Sequence, residues 1–259
     1  MFVLVLLCLS YLPVQSQTDS ADNFRKYFDQ YHVSGSFVLY DLNRNTYTYS
    51  NKVQFSQEFI PASTYKICNS LIGLETGVIP DEHYMMKWDS VKRQIPEWNR
   101  DHTMQSAFKY SVVWYYQELA RRVGGAREKY WLDKARYGNA DTSGGIDRFW
   151  LSGGLRITPE QQIDFLKRLY KNELPFSQRS MDIVKKIMIA EQTPEYTLRA
   201  KSGWSEQDGL NIGWYVGYVQ RGKDVYIFAT CIQSPEAGDQ FGPARIEITK
   251  EILKDLHIL

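Results

Sequence analysis

Strand-like runs stand at the two ends of this chain and helix-like runs fill its middle, a distribution that limits the available folds more than any other feature. Gly35-Ser36-Phe37-Val38-Leu39-Tyr40 reads as a strand, the turn-rich Asp41–Asn45 follows, and Thr46–Ser50 returns as its hairpin partner. Asn23–Tyr31, ahead of them, has helical character. From Ser63 to about Ala190 the apolar residues recur mostly at helical spacing. The best-marked helix starts at Thr158, with Pro159 in first position and Gln161 completing a capping box ahead of Ile163, Leu166 and Leu169. Another is expected over Ser111–Val123, closed by Gly124-Gly125. Arg199–Ser202, Ile212–Gln220 and Val225–Ile232 are strand-like, the last almost continuously apolar, as a strand buried on both faces should be. Arg245–Leu256 reads as an amphipathic helix. The first hairpin is therefore expected to pair with the late strands in one antiparallel sheet, an α/β (α+β) fold. Its α/β lobe would comprise about 17–61 plus 195–259, with a mostly helical lobe inserted at about 62–194 and a cleft between them.

Lys+Arg 31 against Asp+Glu 30 leaves no net field, so neither nucleic acid nor an anionic membrane surface is expected as a partner. Met1–Ser16 reads as a secretory signal: an apolar run, Phe2–Leu12, precedes Val14-Gln15-Ser16 as a small-residue cleavage site. No lysine or arginine precedes that run, which leaves an uncleaved anchor or a misassigned start open. No later stretch approaches the roughly 20 apolar residues of a membrane span, so no stable insertion is expected once the signal is removed. Cys8 falls inside the signal, and Cys68 and Cys231 sit in apolar company as buried free thiols. Residues 17–259 then form one domain, periplasmic or secreted, as a monomer or homodimer.

Pro61-Ala62-Ser63-Thr64-Tyr65-Lys66 places a hydroxyl and an amine three residues apart where a helix-periodic run begins, so that both project from one face. Serine is a weak nucleophile, and a neighbouring amine can activate it if that amine is not protonated. Taken alone, the match is also what chance supplies, since both residues are common. His32, His83, His102 and His257 show no metal-ligand spacing, and no paired Cys-x-x-Cys or phosphate-cradling glycine loop occurs, so no metal or nucleotide is expected. Asp101-His102 reads as a surface histidine before a helix rather than part of a triad.

Three further stretches stand beside that pair. Ser111-Val112-Val113 opens a helix with a second hydroxyl, Tyr137-Gly138-Asn139 is a compact turn with a polar tip, and Lys201-Ser202-Gly203-Trp204 ends a strand. Singly, a helix cap, a helix-ending turn and a strand edge account for them as well. In this order and in one chain they closely resemble the penicillin-recognising serine acyl-transferases, and within these the class D, oxacillinase-type β-lactamases. Gly73–Ile79, Asp81-Glu82-His83, Phe149-Trp150-Leu151 and Gly242-Pro243-Ala244-Arg245 extend the resemblance over nearly all of the chain after the signal. Tyr65 stands where that family usually has Phe, Ser202 where Thr is commoner, and Trp204 where Phe or Tyr is commoner; none of these removes a reacting group.

The resemblance implies a β-lactam as the small-molecule substrate and Ser63 as the nucleophile, with the backbone N–H groups of Ser63 and Trp204 as oxyanion hole. It implies no bound cofactor beyond carbon dioxide, taken up by Lys66 as a carbamate (N6-carboxylysine) that serves as general base in acylation and deacylation. The Glu-x-x-x-Asn-like segment that supplies the deacylating base of class A enzymes is missing. Val113 would keep the pocket apolar, Trp150 would donate its indole N–H to the carbamate, and Ser111 would relay a proton to the leaving nitrogen. Lys201, Ser202, Gly203, Trp204 and Arg245 would bind substrate, with Lys201, Ser202 and Arg245 on its carboxylate. Substrate preference would lie in loops around Trp204–Asn211 and in Met104. A β-lactam sensor domain, acylated at Ser63 without turnover, is the alternative, although such sensors commonly carry Asn at the position of Val113; a non-catalytic binder has no positive feature behind it.

Overall fold

The computed structural model describes residues 17–19 and 21–259, with side chains from Asn23 onward; the expected signal over 1–16, Cys8 included, lies outside the described residues. In chain order the strands are β1 (Gln17–Asp19), β2 (Ser34–Asp41), β3 (Thr46–Ser50), β4 (Met85–Met86), β5 (His102–Thr103), β6 (Ile189–Gln192), β7 (Thr197–Gln207), β8 (Leu210–Arg221) and β9 (Asp224–Ser234). The helices are α1 (Ala21–Gln30), α2 (Lys66–Glu75), α3 (Met104–Lys109), α4 (Val113–Val123), α5 (Gly125–Ala135), α6 (Pro159–Tyr170), α7 (Gln178–Ile187) and α8 (Phe241–Asp255).

Period-two alternation in the strands builds the sheet. Phe37 and Leu39 of β2 face one apolar cluster while Val38 and Tyr40 face another, and Phe228 and Ile232 of β9 likewise point away from Ile227, Ala229 and Cys231. The sheet order is β1-β3-β2-β9-β8-β7-β6, so the apolar strand β9 lies at its centre. As expected, the N-terminal hairpin β2–β3 joins the late strands, β2 pairing antiparallel with β9. Among the described residues, only the short edge strand β1 runs parallel to its neighbour, β3. One face is covered by α1 and α8 through Phe24, Phe28, Ile248 and Ile252. The other carries the larger core, to which α2, α4, α6 and α7 contribute Leu71, Leu119, Leu166 and Val184. Covering both faces removes the reason for a polar side, which is why β9 reads as an apolar run.

The capping box at α6 is formed: Thr158 Oγ1 accepts from Gln161 N at 3.0 Å and Gln161 Oε1 from Thr158 N at 2.9 Å. Several expectations need correction. Ser111 does not open α4; it lies before it with φ 55°, and the helix starts at Val113. Lys201-Ser202-Gly203-Trp204 does not end a strand, because β7 runs on to Gln207, paired with β8 through a two-residue turn. Asp208 and Gly209 both take positive φ there, the geometry that matches the twist of a tight hairpin, so Trp204–Asn211 is a ribbon rather than a loop. The last helix begins earlier than Arg245, at Phe241. His102 is buried rather than at the surface, with Nδ1 2.9 Å from Ser106 Oγ and Nε2 2.8 Å from Glu97 O. Cys68 and Cys231 are free and buried, as expected. Among the described residues no helix is long and apolar enough to cross a membrane.

Candidate active site

Ser63 and Lys66 meet through a tighter helix than the one expected. Residues Ala62–Tyr65 form a 3₁₀ turn, and α2 begins only at Lys66. With three residues per 3₁₀ turn, side chains at i and i+3 eclipse, and Lys66 Nζ lies 2.8 Å from Ser63 Oγ. Thr64 ties the turn to its surroundings, its hydroxyl donating to Pro61 O at 2.7 Å and accepting from Gln162 Nε2 at 2.9 Å. Ala62 takes φ 49°, a conformation costly for a residue with a Cβ and one that persists only where packing enforces it. Lys66 is fully buried, and burial together with nearby Lys201 holds its pKa well below the ordinary lysine value. The Tyr116 ring lies 5.2 Å from Lys66 Nζ, and the Tyr116 hydroxyl is 2.8 Å from Ser70 Oγ.

A second hydroxyl–amine pair joins β7 to the segment before α4. Lys201 Nζ is 3.0 Å from Ser111 Oγ and 3.0 Å from Ser202 O, and burial followed by the charge of Arg245 lowers its pKa to about 7. Gly203 lets β7 run close against the 3₁₀ turn: a Cβ there would sit 3.0 Å from Pro61 O and 3.2 Å from Thr64 N. Trp204 is 43% exposed, its ring 5.3 Å from Phe241 and its indole N–H bonded to Asn211 Oδ1 at 3.1 Å. Arg245 stacks over Trp204 at 5.8 Å, donates to Gly242 O from Nη1 at 2.5 Å, and keeps Nε buried without a partner. Burial lowers its pKa to about 10. Two partly desolvated cations on one wall suit an anionic group such as a carboxylate.

Trp150 enters from a loop that Tyr137-Gly138-Asn139 pins in place. Gly138 has φ 55°, and a Cβ there would fall 2.0 Å from Arg156 O. Asn139 Oδ1 accepts from Asp141 N and Arg156 N, while its Nδ2 donates to Gly154 O at 3.0 Å. Trp150 is fully buried against Tyr65 at 5.3 Å and Phe149 at 4.9 Å, and its indole N–H has no hydrogen-bond partner. A buried donor left unpaired is costly, so this N–H marks a place for an acceptor that the side chains present do not supply.

Direct contacts thus join Ser63 to Lys66, Lys201 to Ser111 and Ser202, Gly203 to the 3₁₀ turn, and Arg245 to Trp204. Val113 is half-buried at the start of α4, two residues from Ser111. Met104 is fully buried at the start of α3. Sequence reasoning missed Tyr116, although it follows Val113 by three residues and so shares its helix face. It also missed Gln162, for which no spacing signal exists.

The penicillin-binding protein transpeptidase domain family matches residues 20–255. β-Lactamase OXA-48 of Klebsiella pneumoniae is 44% identical over 237 residues, covering 92% of this chain and 89% of that protein. The crystal structure of the class D β-lactamase YbXI from Nostoc superposes with a TM-score of 0.88 at 46% identity, covering 92% of this chain and 99% of that one. The C-terminal domain of the Bacillus licheniformis BlaR penicillin-receptor reaches a TM-score of 0.89 at 34% identity, with 96% and 100% covered. The chain belongs to the penicillin-binding protein transpeptidase family and, within it, to the class D β-lactamases, which are hydrolases.

Proposed function

We propose that this enzyme opens the β-lactam ring through an ester on Ser63, with Lys66 carrying carbon dioxide as a carbamate, and that it acts in the periplasm or outside the cell after export by the 1–16 signal. The observation that carries the reading is the 2.8 Å contact between Ser63 Oγ and a fully buried Lys66 whose charged form no carboxylate offsets. An amine held neutral is the form that adds carbon dioxide, and the orphan indole N–H of Trp150 fits a bound carboxylate group. When bound, that group supplies a carboxylate base beside Ser63.

Ser63 gives up its hydroxyl proton on the Lys66 side as Oγ bonds to the lactam carbonyl carbon. The backbone N–H groups of Ser63 and Trp204 receive the oxyanion. As the C–N bond breaks, Ser111 passes a proton to the lactam nitrogen and is resupplied from Lys201, 3.0 Å away, which takes up in exchange the proton that left Ser63. Lys201, Ser202 and Arg245 hold the substrate carboxylate, the arginine with two parallel donors. Water then loses a proton on the Lys66 side and cleaves the ester, restoring Ser63.

Likeness to the BlaR receptor domain supports a second reading, acylation without turnover. Nitrocefin assayed with bicarbonate separates the two: steady colour for the enzyme, one stoichiometric burst for a receptor. Ser63→Ala is expected to abolish hydrolysis with the fold intact, and intact mass after a slow penicillin to show an adduct on the wild type alone. An adduct on Ser63→Ala moves the nucleophile elsewhere.

A further inference from the structure

Glu128 of α5 is fully buried, and its carboxyl meets a single hydrogen-bond partner. Oε2 accepts from the Tyr65 hydroxyl at 2.6 Å, while Oε1 is buried with none. Burial raises its pKa to about 7, against the opposing pull of the Tyr65 hydrogen bond and of Arg127. A carboxyl removed from water and tied to one neutral hydroxyl costs the fold stability, and a packed apolar side chain would not. Tyr65, also fully buried, is the last residue of the 3₁₀ turn and is followed directly by Lys66. Its ring lies 5.3 Å from Trp150, 5.2 Å from Phe149 and 5.5 Å from Tyr137, so the anchored hydroxyl fixes an aromatic layer behind the site. A phenylalanine at this position would leave Glu128 with no donor at all.

We propose that Glu128 is a positioning residue for the reacting pair: through Tyr65 it fixes the turn carrying Ser63 and Lys66 and the indole of Trp150, and so sets how firmly Lys66 holds carbon dioxide. The inference rests on the carbamate reading given above. Carbamate on a buried lysine lasts only where fixed donors outweigh water, and an unanchored Tyr65 lets the turn and the Trp150 ring shift together.

The test measures occupancy rather than turnover. Full-length wild type, Glu128→Leu and Glu128→Gln are titrated with ¹³C-labelled bicarbonate at one pH, the carbamate signal is read by NMR, and Tm is recorded alongside. Glu128→Leu removes a costly buried acid, so its Tm is expected to hold or rise. Its half-saturating bicarbonate is nevertheless expected to rise about fivefold, the shift that one lost positioning hydrogen bond carries. Glu128→Gln keeps an acceptor for Tyr65 and is expected to stay near the wild type in occupancy. A purely structural role moves Tm and leaves occupancy alone, so a Glu128→Leu protein with wild-type half-saturation overturns the proposal. A wild type that shows no carbamate signal overturns both this proposal and the carbamate reading beneath it.

Discussion

The two lysines of the site place opposite demands on pH. Lys66, its pKa depressed by burial and by Lys201, must be unprotonated to serve, so kcat/KM should rise as pH climbs through its folded-state pKa. Lys201, proposed to hold the substrate carboxylate in its charged form, has its pKa lowered to about 7, and that charge is lost as pH rises through this value. An acid limb from Lys66 and an alkaline limb from Lys201 are expected in the kcat/KM profile of a penicillin. The alkaline limb should move to higher pH in Lys201→Arg, whose guanidinium stays charged; an unmoved limb rules out Lys201 as its cause. Val113 offers a second test, since it precedes Tyr116 by three residues on α4 and the Tyr116 ring lies 5.2 Å from Lys66 Nζ. Val113→Asn brings an amide and water to this apolar face, where they favour the protonated amine. The expected result is a nitrocefin burst followed by a long-lived acyl-enzyme visible by mass, and unchanged steady turnover would refute it.

Among the elements, the ones that create the site are those that depart from regular structure. The 3₁₀ turn at Ala62–Tyr65 aligns Ser63 with Lys66, the left-handed Ser111 brings its hydroxyl to Lys201, and Gly203 brings β7 against the turn. Gly138 does the same for Trp150, holding the loop through a backbone approach that leaves no room for a Cβ. Gly138→Ala combines a positive φ with a clash against Arg156 O, and should cost on the order of 2–4 kcal/mol in urea denaturation. A loss below about 1 kcal/mol would mean that the loop relaxes freely and that the glycine does not fix it. Regular spacing signalled Ser63 and Lys66 in the sequence, but not the 3₁₀ geometry, because the same three-residue interval fits both helix types. The short ladder β4–β5 was likewise illegible, since two residues per strand are too few for alternation to show.

Across the whole molecule, the sheet is what joins distant parts of the chain into one site. Lys201 and Gly203 on β7 reach Ser111 and the turn that carries Ser63 because the late strands pair with the N-terminal hairpin and the intervening helices pack on the same face. The sequence by itself determined that the β2–β3 hairpin and the late strands share one sheet, the capped α6 and the balanced charge, because periodicity and turn chemistry are local properties, while the order of its motifs pointed, through the family resemblance, to Ser63, Lys66, Ser111, Trp150, Lys201 and Arg245. Tertiary structure alone decided that β7 continues past Trp204, that His102 is buried, that Tyr116 lies beside Lys66, and that Glu128 meets Tyr65 across the core. Those outcomes depend on which surfaces come to face each other once the chain has closed, and on the burial that turns an ordinary lysine or glutamate into a group with a displaced pKa.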